Sequence, residues 1–94
     1  MQINAAIQLL PFGNDEQKYI IIDSAIQLIQ KSGLVHLVCP FVTVVEGEAH
    51  DVYALIENIR IESLRNCSDV IINVKIHAAN RNLKIDEKLE KYPG

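Results

Sequence analysis

The chain contains no tryptophan, one methionine, two cysteines and four glycines, and only 5% of it is aromatic. Cys39 and Cys67 show no CxxC spacing. Two isolated cysteines read as reduced, buried and inert in a cytosol, with a disulfide between them left open. The glycines stand singly, so neither GxGxxG nor GxxxxGK[ST] is formed and no phosphate-cradling loop is encoded. No run approaches the ~20 apolar residues that a bilayer span needs, so no membrane partner is expected. The start Met1-Gln2-Ile3-Asn4 has no basic stretch and no long apolar core, and the expected location is the cytoplasm. Positive charge is also short. Nine Lys and Arg against twelve Asp and Glu leave a formal charge of −3, with a pI of about 5.5. Neither suits a protein whose affinity comes from neutralising phosphates or anionic lipid.

What is present is a core. Apolar residues make up 49% of the 94, well above a disordered composition. Residues 1–94 are expected to form one domain. A chain this short buries only roughly 60–65% of its unfolded surface, so burial between subunits would help it.

Residues 2–10 alternate, with Ile3, Ala5, Ile7 and Leu9 on one face and Asn4, Ala6 and Gln8 on the other, which predicts a strand with one buried side. Pro11-Phe12-Gly13 ends it. Asn14 followed by Gln17 is a capping-box variant, and Tyr19, Ile22, Ile26 and Ile29 predict an amphipathic helix over about 15–32. Ser32-Gly33 stops that helix. Leu34–Val38 and Phe41–Glu46 read as two strands, separated by a break too short for a helix. Gly47-Glu48 leads into a second helix, about 49–65, with the stripe Val52, Leu55, Ile56 and Ile59. Residues 70–77 alternate again, with Val70, Ile72, Val74 and Ile76 inward. Lys84–Tyr92 predicts a short helix with Ile85, Leu89 and Tyr92 on one side.

The order strand, helix, strand, strand, helix, strand leaves few closures once crossovers are right-handed. The expected fold is α+β and ferredoxin-like, βαββαβ. It has a four-stranded antiparallel sheet of order 4-1-3-2, two helices on one face and a short C-terminal helix. Strand parity then assigns the open face to Asn4, Ala6, Gln8, His36, Val38, Thr43, Val45, Ile71, Asn73, Lys75 and His77. That mixture reads as a subunit interface containing polar groups.

Catalytic and metal chemistry find little support. His36 and His77 fall on opposite edges of the sheet, with no acidic or cysteine partner at metal-ligand spacing. Cys39 and His36 have opposite parity in one strand, so no Cys–His nucleophile is marked. An RNA-recognition module needs exposed aromatics on its central strands, where this chain carries Asn4, Gln8 and Thr43. The most distinctive stretch is Pro40–Glu48, in which Glu46 and Glu48 flank Gly47 where a central strand enters a helix. Those carboxylates either offset the helix dipole, or Glu46 meets a cationic ligand at the end of the sheet. A parallel central pair would end strand one here too, bringing Gln8 and Leu10 near.

Asn4-Ala5-Ala6-Ile7-Gln8-Leu9-Leu10-Pro11, Lys31-Ser32-Gly33-Leu34, Pro40-x-x-Thr43-x-x-Glu46-Gly47-Glu48 and Val74-Lys75-Ile76 occur together over about residues 3–92. The set resembles the small thiamine-binding proteins of the YkoF-like group. That resemblance implies a ferredoxin-like fold and a homotetramer of dimers whose open sheet faces meet. It also implies thiamine or its hydroxymethylpyrimidine moiety as the ligand. The chain departs from the family pattern at Val42, where relatives commonly have glycine, and at Asn14, where they often have Thr or Ser.

An aminopyrimidine offers an amine donor and ring-nitrogen acceptors, suiting Asn4, Gln8, Thr43 and Asn73. A thiazolium is a fixed cation, suiting the Glu46 carboxylate or the Phe41 ring. The expectation is a non-catalytic binding protein with no cofactor beyond that ligand and no nucleic-acid partner. The alternative is a structural domain whose open face serves only assembly.

Overall fold

The computed structural model describes residues 1–91. Four strands and three helices follow in the order β1 (Gln2–Pro11), α1 (Asp15–Lys31), β2 (Val35–Val38), β3 (Thr43–Glu48), α2 (Ala49–Leu64), β4 (Val70–His77) and α3 (Ile85–Lys91). The sheet order is β2-β3-β1-β4, every neighbouring pair is antiparallel, and this is the expected 4-1-3-2 arrangement. Tyr92, expected to close the apolar side of the last helix, lies outside the described residues. No helix among the described residues is long and apolar enough to cross a membrane.

Local signals placed the first helix. The Asn14 side chain accepts the Gln17 backbone N–H at 2.8 Å, and the Gln17 side chain accepts the Asn14 N–H at 3.0 Å. This reciprocal pair satisfies two orphan donors of the first turn. At the other end Gly33 adopts φ +75°, a conformation that side chains with a Cβ avoid. The buried row of α1 is Ile21, Ala25 and Ile29. The expected stripe was rotated, and Tyr19 is exposed. An unbroken Tyr-Ile-Ile-Ile run offers several helical stripes, and the packing selects one.

Ile3, Ala5 and Ile7 of β1 meet Val45 of β3, Ala25 and Ile29 of α1, and Val52, Leu55 and Ile59 of α2. Burying each large aliphatic side chain contributes roughly 1.5–3 kcal/mol. Gly47 stands opposite Ile3 in this layer. A Cβ at residue 47 would lie 2.8 Å from Leu34 Cδ2, so only glycine lets Leu34 pack there.

The structure corrects the parity of the middle strands. Ala5 pairs with Val45, Ile7 with Thr43, His36 with Val45 and Val38 with Thr43. Directly paired residues share a face, so His36, Val38, Thr43 and Val45 lie on the helix side, not on the open side. The open face carries Asn4, Ala6, Gln8 and Leu10; Val35 and Leu37; Val44, Glu46 and Glu48; and Ile71, Asn73, Lys75 and His77. The runs Leu34–Val38 and Phe41–Glu46 are apolar at both parities, so alternation could not choose between faces. The central pair is also antiparallel rather than parallel. Glu46 therefore faces Asn4, and Gln8 lies at the opposite end of the strand.

Asn14→Ala should lower stability by about 1 kcal/mol, a drop of ~4–8 °C in melting temperature for a domain this size. Thermal unfolding followed by circular dichroism measures it, and an unchanged midpoint would show that the cap contributes nothing.

Candidate functional site

α1 does not close completely over the end of the sheet where β2 turns into β3. A pocket of about 120 Å³ opens there. Ile7 and Leu9 of β1 and Thr43 of β3 border it from the sheet, and Ile22, Ala25, Ile26 and Ile29 of α1 form the opposite wall. The turn Cys39–Val42 makes the rim, and Gln8 borders it on the β1 side.

Thr43 opens β3 and pairs with Ile7, so the register aims its side chain at the helix layer. Only 8% of the residue is exposed, and no hydrogen bond to its hydroxyl forms among the described residues. Phe41, two residues earlier on the rim, is 84% exposed. No carboxylate, histidine, lysine or arginine lines the pocket. The lining therefore offers shape, dispersion, the Thr43 hydroxyl that donates and accepts, and the Cys39 thiol and Gln8 at its edge.

The six candidate residues divide between the two faces of the sheet. Thr43 and Phe41 belong to the pocket. Gln8 borders it and also accepts a hydrogen bond from Asn73 Nδ2 at 3.3 Å across the open face. Asn4 and Glu46 face each other at the other end of β1, so they do not share a site with Thr43.

There the chain after β4 folds back over the open face as a strap. The Leu83 N–H donates to the Gln2 carbonyl at 3.1 Å, and the Gln2 N–H donates to Asn82 Oδ1 at 2.8 Å. The Ile85 N–H, at the first residue of α3, donates to Glu46 Oε1 at 2.6 Å. Leu83 and Ile85 are buried. Asn4 is 4% exposed, and both polar atoms of its amide are buried without a partner among the described residues. Glu46 thus anchors α3, while Glu48 holds the Met1 ammonium at 2.8 Å. Neither carboxylate makes a side-chain cap on α2.

Glu57 and Arg60 form an exposed pair on α2. The hydrogen bond from Arg60 holds the Glu57 carboxyl below its usual range and raises the guanidinium. Neither lines the pocket. Among the described residues no cluster of three or more His, Cys, Asp or Glu is arranged to hold a metal.

The sequence had not pointed to Ile22, Ala25 and Ile26 as site residues. The spacing of Ile22 and Ile26 read only as core packing, Ala25 was not part of the expected stripe, and nothing local marked which flank of it would stay uncovered.

The profile of a family described as thiamine-binding protein matches residues 5–93. A UPF0045 protein of Clostridium perfringens is 32% identical over 92 residues, covering 95% of each chain. Among solved structures, a Streptococcus pneumoniae protein is 32% identical with a TM-score of 0.85, covering 96% of this chain and 99% of the other. A Thermotoga maritima protein, proposed to act in thiamine biosynthesis or salvage, is 24% identical. Its TM-score is 0.91, over 98% of this chain and 99% of the other.

Glu46→Ala should loosen α3 and leave the pocket intact. A hydrogen bond to a charged acceptor is worth roughly 1.5–3 kcal/mol, or about 10- to 100-fold in local opening. Hydrogen exchange of the amides at 85–91 should accelerate by that factor while those at 52–59 stay as in the parent. Equal protection in both proteins would show that α3 does not depend on Glu46.

Proposed function

The chain belongs to the thiamine-binding protein family, and on that premise we propose that it binds thiamine or its hydroxymethylpyrimidine moiety in the pocket beneath α1. It does so in the cytoplasm and without catalysing a reaction. The observation that carries this reading is the unbonded hydroxyl of Thr43, a largely buried residue, in a mostly apolar, ring-sized pocket. An apolar cavity of ~150 Å³ holds a benzene ring. One of about 120 Å³ with an open mouth suits a single six-membered ring and no more.

The aminopyrimidine then enters the pocket and exchanges a hydrogen bond with Thr43, with Gln8 at the border. The thiazolium stays outside, against the exposed face of Phe41, where a cation over an aromatic ring gains ~0.5–1 kcal/mol. Asn4, Asn73 and Glu46 fall outside this arrangement because none of them borders the pocket.

The same reading includes a homotetramer with the ligand at a subunit interface. Val35, Leu37, Leu10 and Ile71 are exposed apolar side chains on the open face. A patch of that kind marks an interface. The pocket lies beneath α1 on the opposite face, at the same end of the sheet as Leu10 and Ile71. The same patch is what favours the second reading, a domain that only assembles and takes no ligand.

Thermal unfolding with thiamine separates the two readings. A ligand at 100 times its dissociation constant adds about 2.7 kcal/mol, a rise of ~10 °C or more, whereas an assembly domain shows none. Thr43→Val should weaken both thiamine and hydroxymethylpyrimidine roughly 5- to 100-fold in calorimetric titration, because the paired ligand group loses its partner. Phe41→Ala should weaken thiamine by about 2- to 5-fold and leave the neutral fragment nearly unchanged. Parent-like affinities in both variants would move the site elsewhere.

A further inference from the structure

The pocket beneath α1 has a nucleophilic group on its border, the thiol of Cys39. Neither cysteine is buried as its isolated spacing suggested, and Cys39 and Cys67 are both half-exposed free thiols. Cys39 follows β2 and Cys67 precedes β4, the two outer strands of the sheet. Roughly three strand spacings of ~4.8 Å lie between those strands, beyond the ~4.4–6.8 Å that separates the Cα atoms of a disulfide. The two thiols therefore do not pair with each other.

Their sulfurs are held differently. Cys67 Sγ lies 3.2 Å from the Ser63 carbonyl oxygen and 3.3 Å from that of Asp69, so it shares its proton between two acceptors and is fixed against the end of α2. Cys39 Sγ has one contact, to the Leu37 carbonyl at 3.8 Å, and a thiol is a weak donor even at shorter range. The backbone under Cys39 is firm by comparison. Its N–H donates to the Val42 carbonyl at 2.9 Å, and Pro40 stiffens the turn. Cys39 thus presents a loosely held thiol on a fixed rim.

That rim borders a site whose polar group is unmet independently of the cysteine. Thr43 is 8% exposed, its hydroxyl has no partner among the described residues, and it lines the same pocket as Cys39. Phe41, two residues from Cys39, carries the exposed ring on which the thiazolium is placed. No Asp or Glu lines the pocket to repel an anionic reagent.

We infer that Cys39 is a thiol-modification site that gates the pocket: a mixed disulfide with a low-molecular-weight thiol closes the mouth, and reduction reopens it. The thiolate of Cys39 attacks one sulfur of a low-molecular-weight disulfide. A new S–S bond forms to Cys39 as the reagent's own S–S bond breaks. The second half of the reagent leaves as a thiolate and takes up the proton that Cys39 lost, so Cys39 is oxidised and that half is reduced. Exposed mixed disulfides are the labile kind, which thiols reverse. A pocket with room for one ring cannot admit it past a tripeptide tethered at its mouth. The gate rests on the reading that the pocket takes the aminopyrimidine, whereas the site of modification does not.

The full chain is treated with glutathione disulfide and mapped by mass spectrometry. Thiamine is titrated before treatment, after it, and after dithiothreitol. One glutathione should add at Cys39, with Cys67 unmodified. Thiamine affinity should then fall about ten-fold or more and return on reduction. Cys67→Ser should respond as the parent does. Cys39→Ser should gain no adduct, and its own affinity, whatever its value, should be the same before and after treatment. No adduct, or modification of Cys67 in preference to Cys39, overturns the site. An adduct at Cys39 that leaves thiamine affinity as it was, or a fall that persists in Cys39→Ser, overturns the gate. If the reduced parent takes up neither thiamine nor hydroxymethylpyrimidine, the pocket reading falls and the gate with it, while the mass map still decides the site of modification.

Discussion

Leu34 lies against the backbone of Gly47 so closely that a Cβ there would come within 2.8 Å of its side chain. The contact joins the end of the α1–β2 connection to the last residues of β3, whose register sets Gly47 opposite Ile3. A slip of one residue would turn every β3 side chain to the other face, sending Glu46 and Val44 toward the helices and Val45 to solvent. With the register held, Val45 is fully buried, Thr43 borders the pocket and Glu46 reaches the strap. Both polar features thus depend on the register of β3 against β1.

The two faces treat a buried polar group differently. Thr43 is buried beside open space, where a ligand atom can reach its hydroxyl. Asn4 is sealed beneath the strap with both amide atoms unpaired among the described residues. An unpaired buried group costs about 1–3 kcal/mol, while burial of Leu83 and Ile85 contributes roughly 1.5–3 kcal/mol each. The bonds to Gln2 and Glu46 add to that side. Docking of the strap therefore outweighs the amide beneath it.

Size explains where the uncovered apolar surface lies. Two helices can cover the middle of a four-stranded sheet, and here the buried core sits over β1 and β3. The helix-facing row of β4 and the open-face residues Val35, Leu37 and Ile71 remain outside that cover. The pocket has the same origin. It is the gap left between α1 and the β2–β3 turn, and it is apolar because both walls are parts of the core that were not quite closed.

Composition, order and local chemistry were legible in the residues themselves. Alternation in Ile3–Leu9 and Val70–His77 identified both strands and their faces, because each has one apolar parity. Asn14 with Gln17, and Gly33 after Ser32, marked both ends of α1, because a cap is satisfied within three or four residues of itself. Strand order followed from element order and handedness. Two things were decided only in three dimensions. The faces of β2 and β3 came from the pairing of β3 with β1 and of β2 with β3, since Leu34–Val38 and Phe41–Glu46 are apolar at either parity. Parity alone already set Thr43 and Glu46, three residues apart on one strand, on opposite faces, and the pairing decided which of them meets the helices. The partner of Glu46 is a backbone N–H thirty-nine residues away, beyond any local pattern. Periodicity records what a residue's near neighbours require, whereas register and burial are set by contacts between segments that only the folded chain brings together.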